Sequence, residues 1–373
     1  MALKDIPVTI LEAEEEVVKE FRGSTFHPPT LEILDDLGIG GYLIEKGIKA
    51  YTVQYRDRKE GLIAEFDLRR IKQYTRFPFR LQIDQYALAL LLIEKLKGLS
   101  NVDVVFNAKV SNITDMGTYV EVSTNSPDGR TRVFRAPYVI GADGGNSIVR
   151  RSIGITFEGI TYPERYITLF TPFDFQSHLP GFASVNYISD PKEWCIMLRS
   201  PDLWRVLFPT KPKETDEEVL SEETIQTRLQ NLLSSEEPYP IVHKRVYKIH
   251  QRVASTYSKG RIVLAGDSAH VNNPMGGMGL NGGIHDANEL SCYLKDIWFN
   301  KKDGHILKEY SSKRRHVAIQ YVQKQTHQNA IIMSESNESK RRLQQAEMSA
   351  IALDPDRSLD YMLRMSMMDR SYR

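Results

Sequence analysis

Residues 261–290 read RIVLAGDSAHVNNPMGGMGLNGGIHDANEL. The apolar run 261–265 is of the kind that makes a buried parallel strand. Residues 266–283 are dense in glycine, asparagine and proline. From Ile284 onward, Ile284, Ala287, Leu290, Leu294 and Ile297 recur at helical spacing. Strand, glycine-rich loop and helix bring backbone N–H groups and the positive end of a helix dipole to one point, where an anionic or electron-accepting ligand can sit. Glycine lets the backbone approach closely and adopt positive φ. Asp267, just past the strand end, is placed to accept hydrogen bonds from a ligand hydroxyl. As a bare pattern, the same layout is also a plain strand-to-helix turn.

Outward from this stretch, composition sets bounds. A chain of 373 residues is too long for one small core, and two domains are expected. Hydrophobic residues make up 41% and charged residues 26%, as in ordinary soluble globular proteins. A net charge of +1 points away from nucleic acid. The two cysteines, Cys195 and Cys292, form neither a disulfide framework nor a metal pattern, so no metal is expected and a reducing, cytoplasmic setting is. No run of about 18 apolar residues is present to span a membrane, and the N-terminus lacks the pattern of a signal peptide. No repeat or low-complexity tract occurs. The charged segments 212–223 and 334–346 read as solvated surface.

In chain order, residues 6–11 (IPVTIL) read as a buried strand with Glu12 at its end. In dinucleotide-binding folds an acidic residue at the end of the second strand bonds the ribose hydroxyls; Glu12 is also compatible with an ordinary acidic surface. Pro28 and Pro29 followed by Leu31, Leu34 and Leu37, with Gly38 behind, predict a helix. Residues 42–82 read as strands that enter a second sheet. Asp84 is an expected N-cap and 86–96 an apolar helix. Strands are expected at 102–106 and 138–142, and the turn 127–130 predicts a hairpin of 119–123 with 132–135. Further strands are expected at 183–188, 194–198 and 204–208. Phe170, Phe173, Phe175, Tyr187, Trp194 and Trp204 are candidate pocket walls, although most aromatics in such a sheet are core. Residues 302–353 are expected to be helical and to cover the nucleotide-binding layer.

The GDSAH stretch with Pro274, Gly276, Gly277, Gly279, Leu280 and Asn281 resembles the second FAD motif of the class A flavoprotein monooxygenases, which include the para-hydroxybenzoate hydroxylase-like aromatic hydroxylases. That pattern is GD(A/S)AH, a spacer, then PxGGxGxN and a helix. The resemblance implies that Asp267 binds the ribityl chain and that the loop from Pro274 to Asn281 lies against the flavin ring. The helix start would then stabilise negative charge on the reduced flavin. The stretch YVIGADGGNSIVR at 138–150 resembles the family's DG motif, whose matching residues Asp143 and Gly144 would touch FAD and assist the pyridine nucleotide. On the bare residues, this is also a strand-to-helix turn with an aspartate cap. Arg22 matches a family arginine that approaches the FAD pyrophosphate, and Gln85 matches a glutamine that opens a helix and contacts the cofactor. Glu12 gains its ribose role from the same resemblance.

One departure stands out. The strand and GxGxxG loop that the family places upstream of Glu12 are missing from the sequence, and nothing downstream replaces them. The expected fold class is therefore α/β: a Rossmann-like FAD-binding domain with its first strand and GxGxxG loop missing, carrying an inserted antiparallel β-sheet substrate domain. The expected divisions are 1–55, 84–155 and 260–300 for the discontinuous FAD-binding domain, 56–83 and 156–259 for the substrate domain, and 301–373 for a C-terminal helical segment. By resemblance, NADH or NADPH reduces the flavin, and molecular oxygen forms a flavin hydroperoxide that hydroxylates a small aromatic, phenolic substrate. Two alternatives stay open. One is a fragment or pseudoenzyme of the family that does not hold FAD tightly. The other is a flavin-dependent reductase or halogenase on the same scaffold, although the halogenase stretch WxWxIP is not found. The catalytic residue and the substrate are not fixed by any motif.

Overall fold

The computed structural model describes residues 1–21 and 23–368. Its nucleotide-binding layer holds two parallel pairs. Val8–Leu11 pairs with Val102–Val105. Val139–Gly141 pairs with Ile262–Leu264, which also carries the short antiparallel strand Ser258–Lys259. Among the described residues, no hydrogen bonds join the two pieces. Ile262–Leu264 is buried throughout, as an apolar strand covered on both faces should be. The strands Val8–Leu11 and Val102–Val105 are only half-buried. The predicted hairpin is present as Val120–Asn125 with Thr131–Ala136, and Lys109–Asp115 adds a third strand.

The second layer is an eight-stranded sheet. Its order is His270–Val271, His243–Ala254, Phe157–Thr171, Trp204–Pro209, Cys195–Arg199, Val185–Ser189, Thr52–Asp57, Gly61–Asp67. All neighbours are antiparallel except Val185–Ser189 with Thr52–Asp57. The strand His270–Val271 comes from the GDSAH stretch itself, so the glycine loop is stitched to the edge of this sheet. A small three-stranded sheet of Thr25–Phe26, Arg80–Gln82 and Ile48–Ala50 lies beside the helix Pro28–Asp36.

The large sheet has two different faces. Phe175, Trp204, Phe208 and Tyr239 pack with Val219, Ile225 and Leu229 from the helices Asp216–Leu220 and Glu222–Leu232. Val53, Phe66, Tyr166, Tyr187 and Trp194 form the other cluster, with Met275, Met333, Met348, Met362 and Met365. This corrects the expectation that residues 302–353 cover the nucleotide-binding layer. Leu307 and Tyr310 of the helix Leu307–Val317 do join that layer's core. The helices Lys324–Ser334, Glu338–Leu353 and Pro355–Met365 turn instead onto the large sheet. Their methionines supply an unbranched apolar lining that fits an irregular aromatic surface.

Candidate functional site

The glycine loop is held from both sides. The helix Met278–Asn300 follows Gly276 and Gly277, whose φ values of 101° and 68° are open to glycine without strain. No side chain caps this 23-residue helix, so its first N–H groups face outward at the positive end of the dipole. A Cβ on Gly277 would lie 3.1 Å from Thr25 Cβ. Asn281 is fully buried and locks this contact: its Oδ1 accepts from His27 N at 2.8 Å, and its Nδ2 donates to Thr25 O and Gly277 O. The Asn281 side chain is thus engaged by the protein and acts on a ligand only through the shape of the loop. His27 faces Gly276 O through Nε2 at 2.8 Å.

Gln85 joins this group. Its N–H donates to Gly23 O, and a Cβ on Gly23 would lie 3.1 Å from Leu280 Cδ2 and 3.3 Å from Gln85 Oε1. Gln85, Leu280 and Gly23 therefore meet at one point, and only glycine at 23 leaves room. Asp84 stands at the expected N-cap position, but its carboxylate turns to Arg205 and no side-chain cap forms. Pro274 O accepts from Gly277 N at 3.0 Å, which closes the turn. Gly279 lies against Asn272, whose Oδ1 would be 3.2 Å from an added Cβ.

A second group forms where Val139–Gly141 and Ile262–Leu264 end side by side. The buried Ser268 donates from Oγ to Gly141 O at 2.5 Å and to Ala265 O at 2.9 Å. Arg150 donates to Ser268 O and to Gly145 O, tying the DG turn to the GD turn. Asp143 accepts from Ser147 Oγ at 2.5 Å and from Val149 N at 3.1 Å, so its carboxylate anchors the start of the helix Ile148–Ser152. Gly144 has φ 76°, and a Cβ there would meet only open space. Asp267 is exposed at the strand end beside this junction. Glu12 lies apart in the other parallel piece, exposed, with Oε1 accepting from Glu14 N at 3.1 Å. Arg22 lies outside the described residues.

Sequence reasoning missed the network that fixes these turns. Asp286 is fully buried in the long helix. Its Oδ2 accepts from Gly266 N at 3.0 Å and from His270 Nε2 at 2.9 Å, and its Oδ1 accepts from Arg314 Nε at 2.6 Å. Burial alone would raise the Asp286 carboxyl, but His270 and Arg314 outweigh it and hold it below the usual carboxylate range. The missed aromatic surroundings include Tyr166, whose hydroxyl accepts from Asn273 Nδ2 at 3.3 Å, and Tyr162, whose hydroxyl lies 2.8 Å from His327 Nδ1. Of the candidate wall residues, Tyr187 and Trp194 lie on the Met275 side of the large sheet, while Phe173, Phe175 and Trp204 face away from it.

Two histidines give the site a pH signature. Burial, then the charge of Arg80, holds His27 well below 6.5. Burial, then Arg314, pushes His285 down to about 4. Both imidazoles stay neutral in the fold and take up protons on unfolding. Stability should therefore be constant above pH 6.5 and fall as pH drops from 6.5 towards each folded value. The slope should be at most about 1.4 kcal/mol per pH unit for each histidine. Since His285 reaches solvent in part, its share should be the smaller. Thermal melts of the protein and of His27→Gln between pH 4.5 and 7.5 check this; parallel curves would show that His27 is not the source.

The residues present fit a flavin. The helix start carries no side-chain cap, two left-handed glycines shape the turn before it, and the turn at Gly144 opens on free space that a Cβ would enter. Fold and site together define an FAD-dependent class A flavoprotein monooxygenase acting on an aromatic ring. The FAD binding domain family matches residues 2–325, and the chain belongs to that family. It is 33% identical over 341 residues to the para-nitrophenol 4-monooxygenase of Pseudomonas sp. (strain WBC-3), covering 90% of this chain and 83% of that protein. It is 32% identical to the 6-hydroxy-3-succinoylpyridine 3-monooxygenase HspB of Pseudomonas putida (strain DSM 28022 / S16), covering 84% and 80%. The crystal structure of p-nitrophenol 4-monooxygenase PnpA from Pseudomonas putida DLL-E4 superposes with a TM-score of 0.93 at 31% identity, covering 99% of this chain and 94% of that one. Among the described residues, no helix is long and apolar enough to cross a membrane, and no group of three or more His, Cys, Asp or Glu is placed to hold a metal ion.

Proposed function

We propose that the protein uses NADH or NADPH and molecular oxygen to hydroxylate a small phenol in the cytoplasm. The observation that carries this reading is the place of Met275. It belongs to the glycine loop yet is buried in one cluster with Tyr166, Tyr187 and Trp194, so the aromatic face of the large sheet abuts the flavin cradle. Glu12, Asp267, Gln85, Asp143, Gly144 and the loop Pro274–Asn281 would hold FAD, with Arg22 at the pyrophosphate. Bound there, FAD supplies the electron-transfer and oxygen chemistry. The chain's own residues bind and orient the ring and keep water out. The names of the two relatives, a para-nitrophenol and a 6-hydroxy-3-succinoylpyridine monooxygenase, support a ring that already carries a hydroxyl group. The test is oxidation of NADH and of NADPH by FAD-loaded protein with a panel of phenols and hydroxybenzoates. One or more should stimulate oxidation and yield a ring with one added hydroxyl. No stimulation by any member would overturn the reading.

A second reading, that FAD is held weakly, is favoured by the break in the parallel layer. Val8–Leu11 and Val139–Gly141 share no hydrogen bonds among the described residues, and Leu90 on the helix Gln85–Lys97 is exposed. A pyrophosphate needs several convergent N–H donors. Gel filtration followed by a visible spectrum tests this: a yellow protein with near-stoichiometric flavin would exclude it.

A further inference from the structure

The buried cations of this fold are not alike. Arg205, Arg228 and Arg314 are each buried against a carboxylate, from Asp84, Glu214 and Asp286. Arg150 spreads its donors over two carbonyls and the face of Phe157. Arg80 is 2% exposed, and among the described residues no carboxylate pairs with it. Its guanidinium donates to Met365 O at 2.8 Å and reaches the Tyr187 hydroxyl only at 3.5 Å. Its Nε has no partner. Arg58 and Arg341 also leave Nε without one, but each of those has an aspartate on its guanidinium.

The surroundings of Arg80 point to a ligand. Gln82 lies two residues along the same strand and on the same face. It is fully buried, with Oε1 taken by Thr25 Oγ1 and Nε2 without a partner. Thr25 touches Gly277 of the flavin cradle. On the other side, Tyr55 stacks on Tyr187 at 5.1 Å, and the Tyr361 hydroxyl donates to that of Tyr55 at 2.8 Å. Tyr55 and Tyr187 also line a small crevice of about 30 Å³ beneath the helix Glu338–Leu353, on the side of these rings away from Arg80, which does not line it. An uncompensated buried charge is costly, and here it stands in a cage of flat rings next to the cofactor cradle.

We propose that Arg80 is the counter-charge for the substrate, which the enzyme takes as an aromatic anion. The anionic oxygen, a phenolate or an acidic group on the ring, is received by Arg80 with Gln82 Nε2 beside it, and the ring lies among Tyr55, Tyr187 and Tyr361. This inference rests on the reading of the protein as a phenol hydroxylase. The test titrates FAD-loaded protein, Arg80→Gln and Arg80→Lys with three rings, following the flavin spectrum: 4-nitrophenol, ionised near neutral pH; unsubstituted phenol, neutral; and 4-hydroxybenzoate, anionic through its carboxylate. Arg80→Gln should weaken the ionised ligands by about 10- to 150-fold, the range for hydrogen bonds to charged groups, and phenol by less than about threefold. Arg80→Lys should restore part of the loss, which separates charge from folding, and thermal melts of all three forms verify the fold. Loss confined to 4-nitrophenol assigns Arg80 to the phenolate; loss confined to 4-hydroxybenzoate assigns it to the ring substituent. Equal weakening of neutral and ionised rings, or none, would overturn the inference. Wild-type protein that binds none of the three would overturn instead the phenol reading on which it rests.

Discussion

Asp286→Ala should cost about 3–5 kcal/mol of folding stability, the loss found when one partner of a buried ion pair is removed. The carboxylate accepts three hydrogen bonds, from Gly266 N, His270 Nε2 and Arg314 Nε. Its removal leaves Arg314 buried with Glu289 at 3.7 Å and Gly282 O at 3.4 Å, and takes their shared acceptor from a backbone N–H and an imidazole. The loss is comparable to a large part of a domain's net stability of about 5–15 kcal/mol. Asp286→Asn keeps the size and one acceptor oxygen and should cost less. Denaturant unfolding of the three FAD-free proteins measures the difference. A loss below about 1 kcal/mol for the alanine variant would mean that the network relaxes around Arg314. The sign with pH is also fixed: Asp286 is held below its usual range, so its contribution is complete above the unfolded value near 3.8 and is lost as pH falls through the folded one.

Asp286 lies inside the stretch that decides the fold, yet its role could not be read there. Its partners are 16, 20 and 28 residues away. A helical acid looks the same in sequence whether it faces solvent or the GD turn. What was legible was local. The apolar run before Gly266, the glycine cluster and the helical period after Ile284 depend on near neighbours, and strand, turn and helix are all present, although the helix begins at Met278, inside the stretch 266–283 read as loop, because its glycines hide the helical period there. The hairpin around 126–130 likewise follows from its turn residues. The longest strands, Phe157–Thr171 and His243–Ala254, escaped. The first half of Phe157–Thr171 is largely exposed and its second half buried on both faces, with a register shift between Thr161 and Arg165, so no single period runs through it. Residues 42–46, the start of the stretch 42–82 expected as strands, belong to the short helix Gly40–Lys46, because seven residues are too few to show a helical period. Arg80 was invisible for the converse reason: its meaning lies in a carboxylate that is not beside it.

Asp267→Ala in the FAD-loaded protein should weaken flavin binding by about 1.5–3 kcal/mol, or about 10- to 150-fold in Kd. The residue lies three positions past the buried strand Ile262–Leu264 and is exposed, while its neighbours on both sides are fixed. Gly266 N is held by Asp286, and Ser268 Oγ by Gly141 O and Ala265 O. A side chain launched from so rigid a turn loses little further freedom on binding, so most of a charged hydrogen bond to a ribityl hydroxyl should appear as affinity. The same rigidity keeps the effect local. An exposed carboxylate adds little to the core, and unfolding of the FAD-free variant should stay within about 0.5 kcal/mol of the parent. Asp267→Asn keeps an acceptor but not the charge and should fall between the two. Flavin fluorescence titration of the three proteins decides the matter. A Kd unchanged by alanine would remove Asp267 from the cofactor site, and a large loss of stability without a change in Kd would make it a structural residue of the turn.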